Sequence, residues 1–325
     1  VIRAWVAHAR PAMLPYLLLL VFGGYGFAHW DRALPARAPL GFALVLVAWT
    51  ALHAGTLWLN AALDRDEGDV LWGTRAPLPP GLSGGGYAAL ALAAALSWLA
   101  DRQAGVAGVG CAVLAVLYSH PRLAWKGHPI GGPVVNVVGY GLLTPYAGWA
   151  VADVPFTPRA AAVWAVGALA VAGAYFAAQA FQQDEDRARG YRTLVVTHGP
   201  WAAVTAARVC LGAAVFGALA LAVIGYIPRV LLVPAAGAWW VDRYLAAWAG
   251  DAAGGDATRA RGLASRVLGL GLLALALAFA DHLRADFAGE PVAGLGTAAG
   301  FPADRPQLPP ALMRAWEASH PLPYD

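Results

Sequence analysis

Residues 39–69 read PLGFALVLVAWTALHAGTLWLNAALDRDEGD. Positions 39–61 hold no charged side chain, and about 20 apolar residues suffice to carry a helix across a bilayer. The run then ends in Asp64, Arg65, Asp66, Glu67 and Asp69. The stretch therefore predicts a membrane span that delivers polar side chains to one membrane surface.

The rest of the 325 residues extends this pattern. The chain is 59% hydrophobic and 13% charged, against roughly 25% charged in soluble domains. Such composition excludes an ordinary soluble domain and also a disordered chain, which needs low hydrophobicity and high net charge. Its 22 basic and 19 acidic residues give a net charge of +3, with no basic stripe to bind nucleic acid. Cys111 and Cys210 sit alone inside apolar runs, which excludes a disulfide framework and a thiolate metal site. Lipid is the solvent that suits this chain, and membrane lipids are its expected surroundings.

Nine candidate spans follow, at about 11–28, 39–61, 86–101, 103–119, 131–152, 160–182, 201–224, 229–248 and 263–283. The expected fold is all-α, a multi-pass bundle of about nine transmembrane helices over residues 1–284. Asp101 and Arg102 alone separate the third and fourth spans, as in a tight helical hairpin or a re-entrant pair. Residues 285–325 form a Pro/Gly-rich tail of expected irregular structure, with one short helical stretch at Ala311–Ser319. Basic residues in short loops favour the cytosol. The richer side carries Arg3, Arg10, Arg65, Arg75, Arg122, Lys126, Arg187, Arg189, Arg192, Arg259 and Arg261, the poorer side Arg32, Arg37, Arg102, Arg159 and Arg229. The N-terminus and the loops after spans 2, 4, 6 and 8 are thus expected in the cytosol.

Two polar clusters close even-numbered spans on that side. His53, Asn60 and Asp64 are spaced by seven and four, and Gln179, Gln182 and Asp186 by three and four, so each set falls on one helix face. Asn60-x-x-x-Asp64-Arg65 resembles Gln182-x-x-x-Asp186-Arg187, a weak internal repeat relating spans 1–4 to spans 5–8 as two four-helix halves. Helix C-termini disfavour carboxylates, and two such ends brought together need protonation or a counter-cation. Carboxylate and amide oxygens suit Mg²⁺, which joins one or two carboxylates to substrate phosphates. One acidic cluster alone is best read as a solvated loop. Two with matching spacing on one surface, each preceded by an intramembrane amide, point to a site. Lys126, in a Tyr118-Ser119…Lys126 stretch closing the fourth span, is placed to meet a phosphate oxygen; an interfacial lysine is the plainer alternative. Asn136 is a donor to the same anion or a packing amide.

At these residues the chain resembles the UbiA superfamily of intramembrane prenyltransferases. Asn60, Asp64, Arg75, Pro77 and Leu78 match its first motif, and Asp186, Gly190, Thr193 and Leu194 its second, with Tyr118, Ser119 and Lys126 between. The ordered set spans roughly residues 10–283. It implies metal binding by Asn60, Asp64, Gln182 and Asp186, and diphosphate binding by Lys126, Tyr118, Asn136 and Arg75. Asp64, Asp186 and Lys126 are the implied catalytic residues. Two positions depart from the pattern: Gly68 stands at the first motif's last Asp and Gln182 at the second motif's first. Asp66, Glu67 and Asp69 lie near the former, Asp184 and Glu185 near the latter.

The resemblance implies Mg²⁺-assisted transfer of a prenyl group from a polyprenyl diphosphate to a lipophilic acceptor. A terpene cyclase of the same superfamily, acting on the diphosphate alone, and a non-catalytic isoprenoid-binding or transport protein are the rivals. His53, Gln179, Tyr140 and Tyr175 would line the substrate pocket, with His53 more readily read as a structural histidine. Tyr140, Tyr146, Tyr175 and Trp58 offer faces to an allylic cation, or serve as packing anchors. Gly23-Gly24-Tyr25-Gly26 and Gly84-Gly85-Gly86 follow no strand and read as helix-packing or loop glycines.

Overall fold

The computed structural model describes residues 2–29, 39–64 and 77–287, and every regular element among them is helical. In chain order the α-helices are α1 Ile2–His8, α2 Leu14–His29, α3 Pro39–Asp64, α4 Leu82–Ala100, α5 Arg102–Ser119, α6 Gly131–Asn136, α7 Thr144–Ala150, α8 Pro158–Gln179, α9 Gln183–Ala188, α10 Leu194–Val223, α11 Leu232–Ala235, α12 Ala238–Ala249 and α13 Ala257–Phe287. Arg65, Gly68, Arg75 and the tail from 288 lie outside the described residues.

Among the described residues seven helices are long and apolar enough to cross a membrane: Ile2–His29, Leu40–Asp64, Leu82–Ala100, Arg102–Ser119, Pro158–Gln179, Leu194–Val223 and Ala257–Asp281. This is an integral membrane protein. The fifth and eighth expected spans are also helical but irregular, each carrying prolines. In the fifth, α6 passes into a π-helical segment at Val137–Leu143 before α7 resumes. Pro145 has no N–H to give the helical ladder. Just before it, Thr144 meets the Gly139 carbonyl twice, through its backbone N–H and through its hydroxyl at 2.8 Å. In the eighth, Pro234 and Gly237 divide the run into a short 3₁₀ turn, α11 and α12.

Other boundaries follow local chemistry. Asp101 alone separates α4 from α5, and its carboxylate caps α5 by accepting from the Gln103 and Ala104 N–H groups. Each of the two helices is long enough to cross, so the pair is a hairpin. Thr157 caps α8 ahead of Pro158 at its first position. Gly199, at φ +82, kinks α10 just before Pro200.

Packing is tightest where glycines let backbones meet. A Cβ on Gly24 would fall 1.8 Å from the Pro145 carbonyl oxygen, and one on Gly148 2.1 Å from that of Val21; α2 and α7 cross there. Gly55 and Gly86 play the same part between α3 and α4. Gly85 abuts the Trp5 ring, so both glycine-rich stretches are packing surfaces. A bidentate pair, Arg208 to Asp242 at 2.8 and 3.1 Å, ties α10 to α12.

Candidate active site

The ends of α3, α5 and α8 and the loops following α5 and α8 gather at one end of the bundle. Asn60 and Asp64 project from the last turn of α3. Lys126, in the turn after α5, is buried (8% exposed) and its Nζ donates to Asn60 Oδ1 at 2.9 Å and to Asp64 Oδ1. Ser119, the last residue of α5, also donates to Asn60 at 3.4 Å. The Arg189 guanidinium stands 3.6 Å from the other Asp64 oxygen and pairs with Glu185 at 2.7 Å. Both Asp64 oxygens thus face a cation.

Asp186 is buried and accepts from the Thr193 hydroxyl at 2.7 Å. Burial pushes its carboxyl above the usual range. The Thr193 bond and the charges of Arg189 and Lys126 oppose that rise, and the Asp64 charge adds to it. Asp64 and Asp186, from distant parts of the chain, therefore share one electrostatic neighbourhood with Lys126. The Arg192 N–H donates to the Gly127 carbonyl at 2.8 Å, locking the two loops together. A Cβ on Gly127 would collide with the Tyr191 ring at 2.4 Å, so this contact needs a glycine.

An aromatic and amide layer underlies the charges. Gln179 is buried and its Nε2 donates to the Tyr175 hydroxyl at 2.7 Å, while its Oε1 is buried without a hydrogen-bond partner. Tyr118 meets the Asn136 side chain and lies within the fields of Asp64, Asp186 and Tyr140. Asn136 gives its amide to the Gly132 carbonyl at 2.9 Å, one helical turn back. A Cβ on Gly132 would meet the Tyr175 hydroxyl at 2.1 Å.

Several expectations change. Helix α8 stops at Gln179 and a new short helix, α9, starts after Gln182, so Gln179, Gln182 and Asp186 do not share one continuous face. Asp186 then lies in the first turn of α9, where the helix dipole favours an acid, so the expected dipole conflict does not arise at Asp186. Asp184 pairs with Arg187 and its side chain is 97% exposed, and Glu185 turns to Arg189. His53 is buried with its Nε2 3.5 Å from the Arg10 carbonyl. Trp58 donates to the Trp5 carbonyl and meets that ring edge-on, anchoring α1. Tyr146 donates to Gln103 beside the α4–α5 turn, at the other end of the bundle. The reach of Arg189 to Asp64 and the hold of Thr193 on Asp186 are additions. Only the i,i+4 spacing of Glu185 and Arg189 hinted at the first.

Residues 12–264 match the model of the UbiA prenyltransferase family. This chain belongs to that family. Solved structures share the fold of this UbiA protein. A UbiA homolog from Archaeoglobus fulgidus, bound to GPP and Mg²⁺, is 19% identical with a TM-score of 0.64, over 85% of this chain and 98% of that one. An apo UbiA homolog from Aeropyrum pernix K1 is 18% identical with a TM-score of 0.60, over 82% and 98%. A digeranylgeranylglyceryl phosphate synthase is 17% identical with a TM-score of 0.59, over 86% and 96%. A search of curated protein sequences gives no match.

Proposed function

We propose that this UbiA protein moves a prenyl group from a polyprenyl diphosphate to a lipophilic acceptor, with Mg²⁺ assisting departure of the diphosphate. The observation that carries this reading is the convergence of Asp64 and Asp186 around Lys126 at one end of a membrane bundle. Among the described residues no three His, Cys, Asp or Glu side chains cluster to cage a metal. Two carboxylates with the amide oxygens of Asn60 and Gln182 instead suit a hard cation that completes its shell with phosphate oxygens and water. The orphaned Gln179 Oε1 adds a further buried oxygen in need of a donor or cation. The A. fulgidus homolog holding GPP and Mg²⁺ is consistent with this assignment.

When bound, Mg²⁺ supplies neutralisation of the charge collecting on the leaving diphosphate. The chain's own residues do the rest. Lys126 shifts from Asp64 to a diphosphate oxygen and holds it as the C–O bond breaks and the electron pair leaves with the diphosphate. Burial makes that fixed charge count for more than it would in water. Tyr118 and Tyr175 sit just below with hydroxyls to orient the diphosphate, and the Tyr140 and Tyr175 rings flank the allylic carbon on which positive charge grows. The acceptor's electrons then form the new bond, and the proton that the acceptor loses passes to the released diphosphate or to water.

Purified protein is incubated with a panel of prenyl diphosphates and Mg²⁺, with and without quinone, phenolic and lipid acceptors, and products are identified by mass spectrometry. A prenylated acceptor is expected. A cyclic hydrocarbon or alcohol formed without acceptor would make the protein a cyclase, and binding without diphosphate release would make it a carrier. Asp64→Ala and Asp186→Ala are expected to abolish turnover while the protein still folds; a wild-type rate in either removes that residue from the chemistry.

A further inference from the structure

Asp64 is the carboxylate through which the two halves of the site meet, and each of its oxygens faces a cation. Lys126 takes one, and Asn60 with it, and Arg189 faces the other at 3.6 Å. The Asp64 side chain is only 8% exposed. An incoming divalent ion needs those same oxygens, and two positive groups against a doubly charged ion is an arrangement that repels. Arg189 differs from Lys126 in how it is mounted. Its second contact, Glu185, lies one turn back on α9 at 2.7 Å, and its side chain is 27% exposed. It is tethered at the rim of the site with room to turn. A guanidinium fork matches a phosphate bidentately, where an ammonium acts as a point charge. The adjoining Gly190, at φ +72, ends α9 so that the chain can double back to Gly127 and keep Arg189 over the site.

We propose that Arg189 is a diphosphate-binding residue that, with Lys126, acts as an exchangeable counter-ion of Asp64: the two cations hold the carboxylate in the ligand-free protein and turn onto the diphosphate when the divalent ion takes it. The inference rests on the prenyl diphosphate reading above. It also makes sense of a site with Gly68 and Gln182 at two acidic positions of the family pattern. Fewer carboxylates hold less metal charge, so more of the charge opposing the diphosphate comes from the protein. Metal and diphosphate then bind cooperatively, since each frees the partner of the other.

The test exploits opposite signs. Binding of Mn²⁺ alone is followed by electron paramagnetic resonance, and binding of inorganic pyrophosphate alone, in EDTA, by calorimetry. Both use the full-length protein in detergent at low ionic strength. Arg189→Gln is expected to tighten Mn²⁺ by about three- to tenfold, because a competing cation is gone, and to weaken pyrophosphate by a similar factor. Arg189→Lys, which keeps the charge, is expected to stay within about twofold of wild type for Mn²⁺. A residue that merely clasps the two halves together would weaken both ligands on removal. Weakening of both by Arg189→Gln, or no change in its Mn²⁺ affinity, overturns the proposal. Thermal unfolding of each variant identifies any that does not fold. If Arg189→Gln does not, Arg189→Lys decides by its pyrophosphate affinity, which should fall with loss of the bidentate fork while Mn²⁺ binding holds; an unchanged pyrophosphate affinity overturns the proposal. These are binding measurements, so opposite shifts in a protein that makes no prenylated product would keep the exchange and discard the transferase.

Discussion

Thr193 donates to Asp186 and the charges of Arg189 and Lys126 lie nearby, yet burial outweighs them and lifts the Asp186 carboxyl above its ordinary value. In the unfolded chain that value is about 4. Between the ordinary and the raised value the folded protein binds the extra proton, so stability falls as pH rises through that window. Asp186→Asn removes the titration and keeps an oxygen to accept from Thr193. In metal-free buffer its melting midpoint near neutral pH should be no lower than wild type, and its dependence on pH above about 4 shallower. Thermal unfolding in detergent with EDTA checks this; an unchanged slope would assign the pH dependence to another group. Asp256 has the opposite sign. It accepts the Arg259 and Thr258 N–H groups at the start of α13, which holds its carboxyl below the usual range. Its contribution is present above the ordinary value and lost as pH falls through the depressed one. Asp256→Ala should therefore lower the midpoint at neutral pH, and the deficit should close in acid.

Between helices the crossings rest on absent side chains. Lipid offers no hydrophobic drive to bring helices together, so close backbone approach carries the packing. Gly148 leaves no room for a methyl group against the Val21 carbonyl oxygen, whereas Gly167 on α8 has nothing within 4 Å. Gly148→Ala should destabilise by about 1–3 kcal/mol through forced separation of α2 and α7. Gly167→Ala should be neutral or gain up to about 1 kcal/mol of helix propensity. Comparing their unfolding midpoints tests the crossing, and equal effects would refute it. This is also where sequence reading has its edge. Apolar runs reveal where helices lie, because length in hydrocarbon is enough. They do not reveal which way a side chain faces, since lipid and protein interior are equally apolar. Hence Trp58 and Tyr146, candidate cation-facing rings under the family resemblance, are an α1 anchor and a partner of Gln103 at the opposite end. Asn60 stood out as an amide inside an apolar run, and Asp64, Lys126 and Asp186 as members of the ordered motifs that close successive spans. The α8–α9 break was not, because Phe181-Gln182-Gln183 carries neither Gly nor Pro to mark it.

For the molecule as a whole, the polar ends differ. The end that holds the site presents Arg122, Arg187, Arg192, Arg259 and Arg261 around buried Lys126, while Arg102, Arg159 and Arg229 mark the other. Positive charge in short loops is retained on the cytosolic side, so we propose that the site faces the cytosol, where a water-soluble metal ion and a diphosphate headgroup would arrive without crossing lipid. Single cysteines test this directly. Arg122 and Arg229 are both exposed, one at each end, and neither side chain contributes to the site. The native Cys111 and Cys210 lie within α5 and α10, shielded from a membrane-impermeant maleimide. Arg122→Cys should label in inside-out vesicles and stay unlabelled in intact cells, with Arg229→Cys behaving in the reverse way. The opposite pattern would invert the protein and require the diphosphate to be supplied from the far side of the membrane.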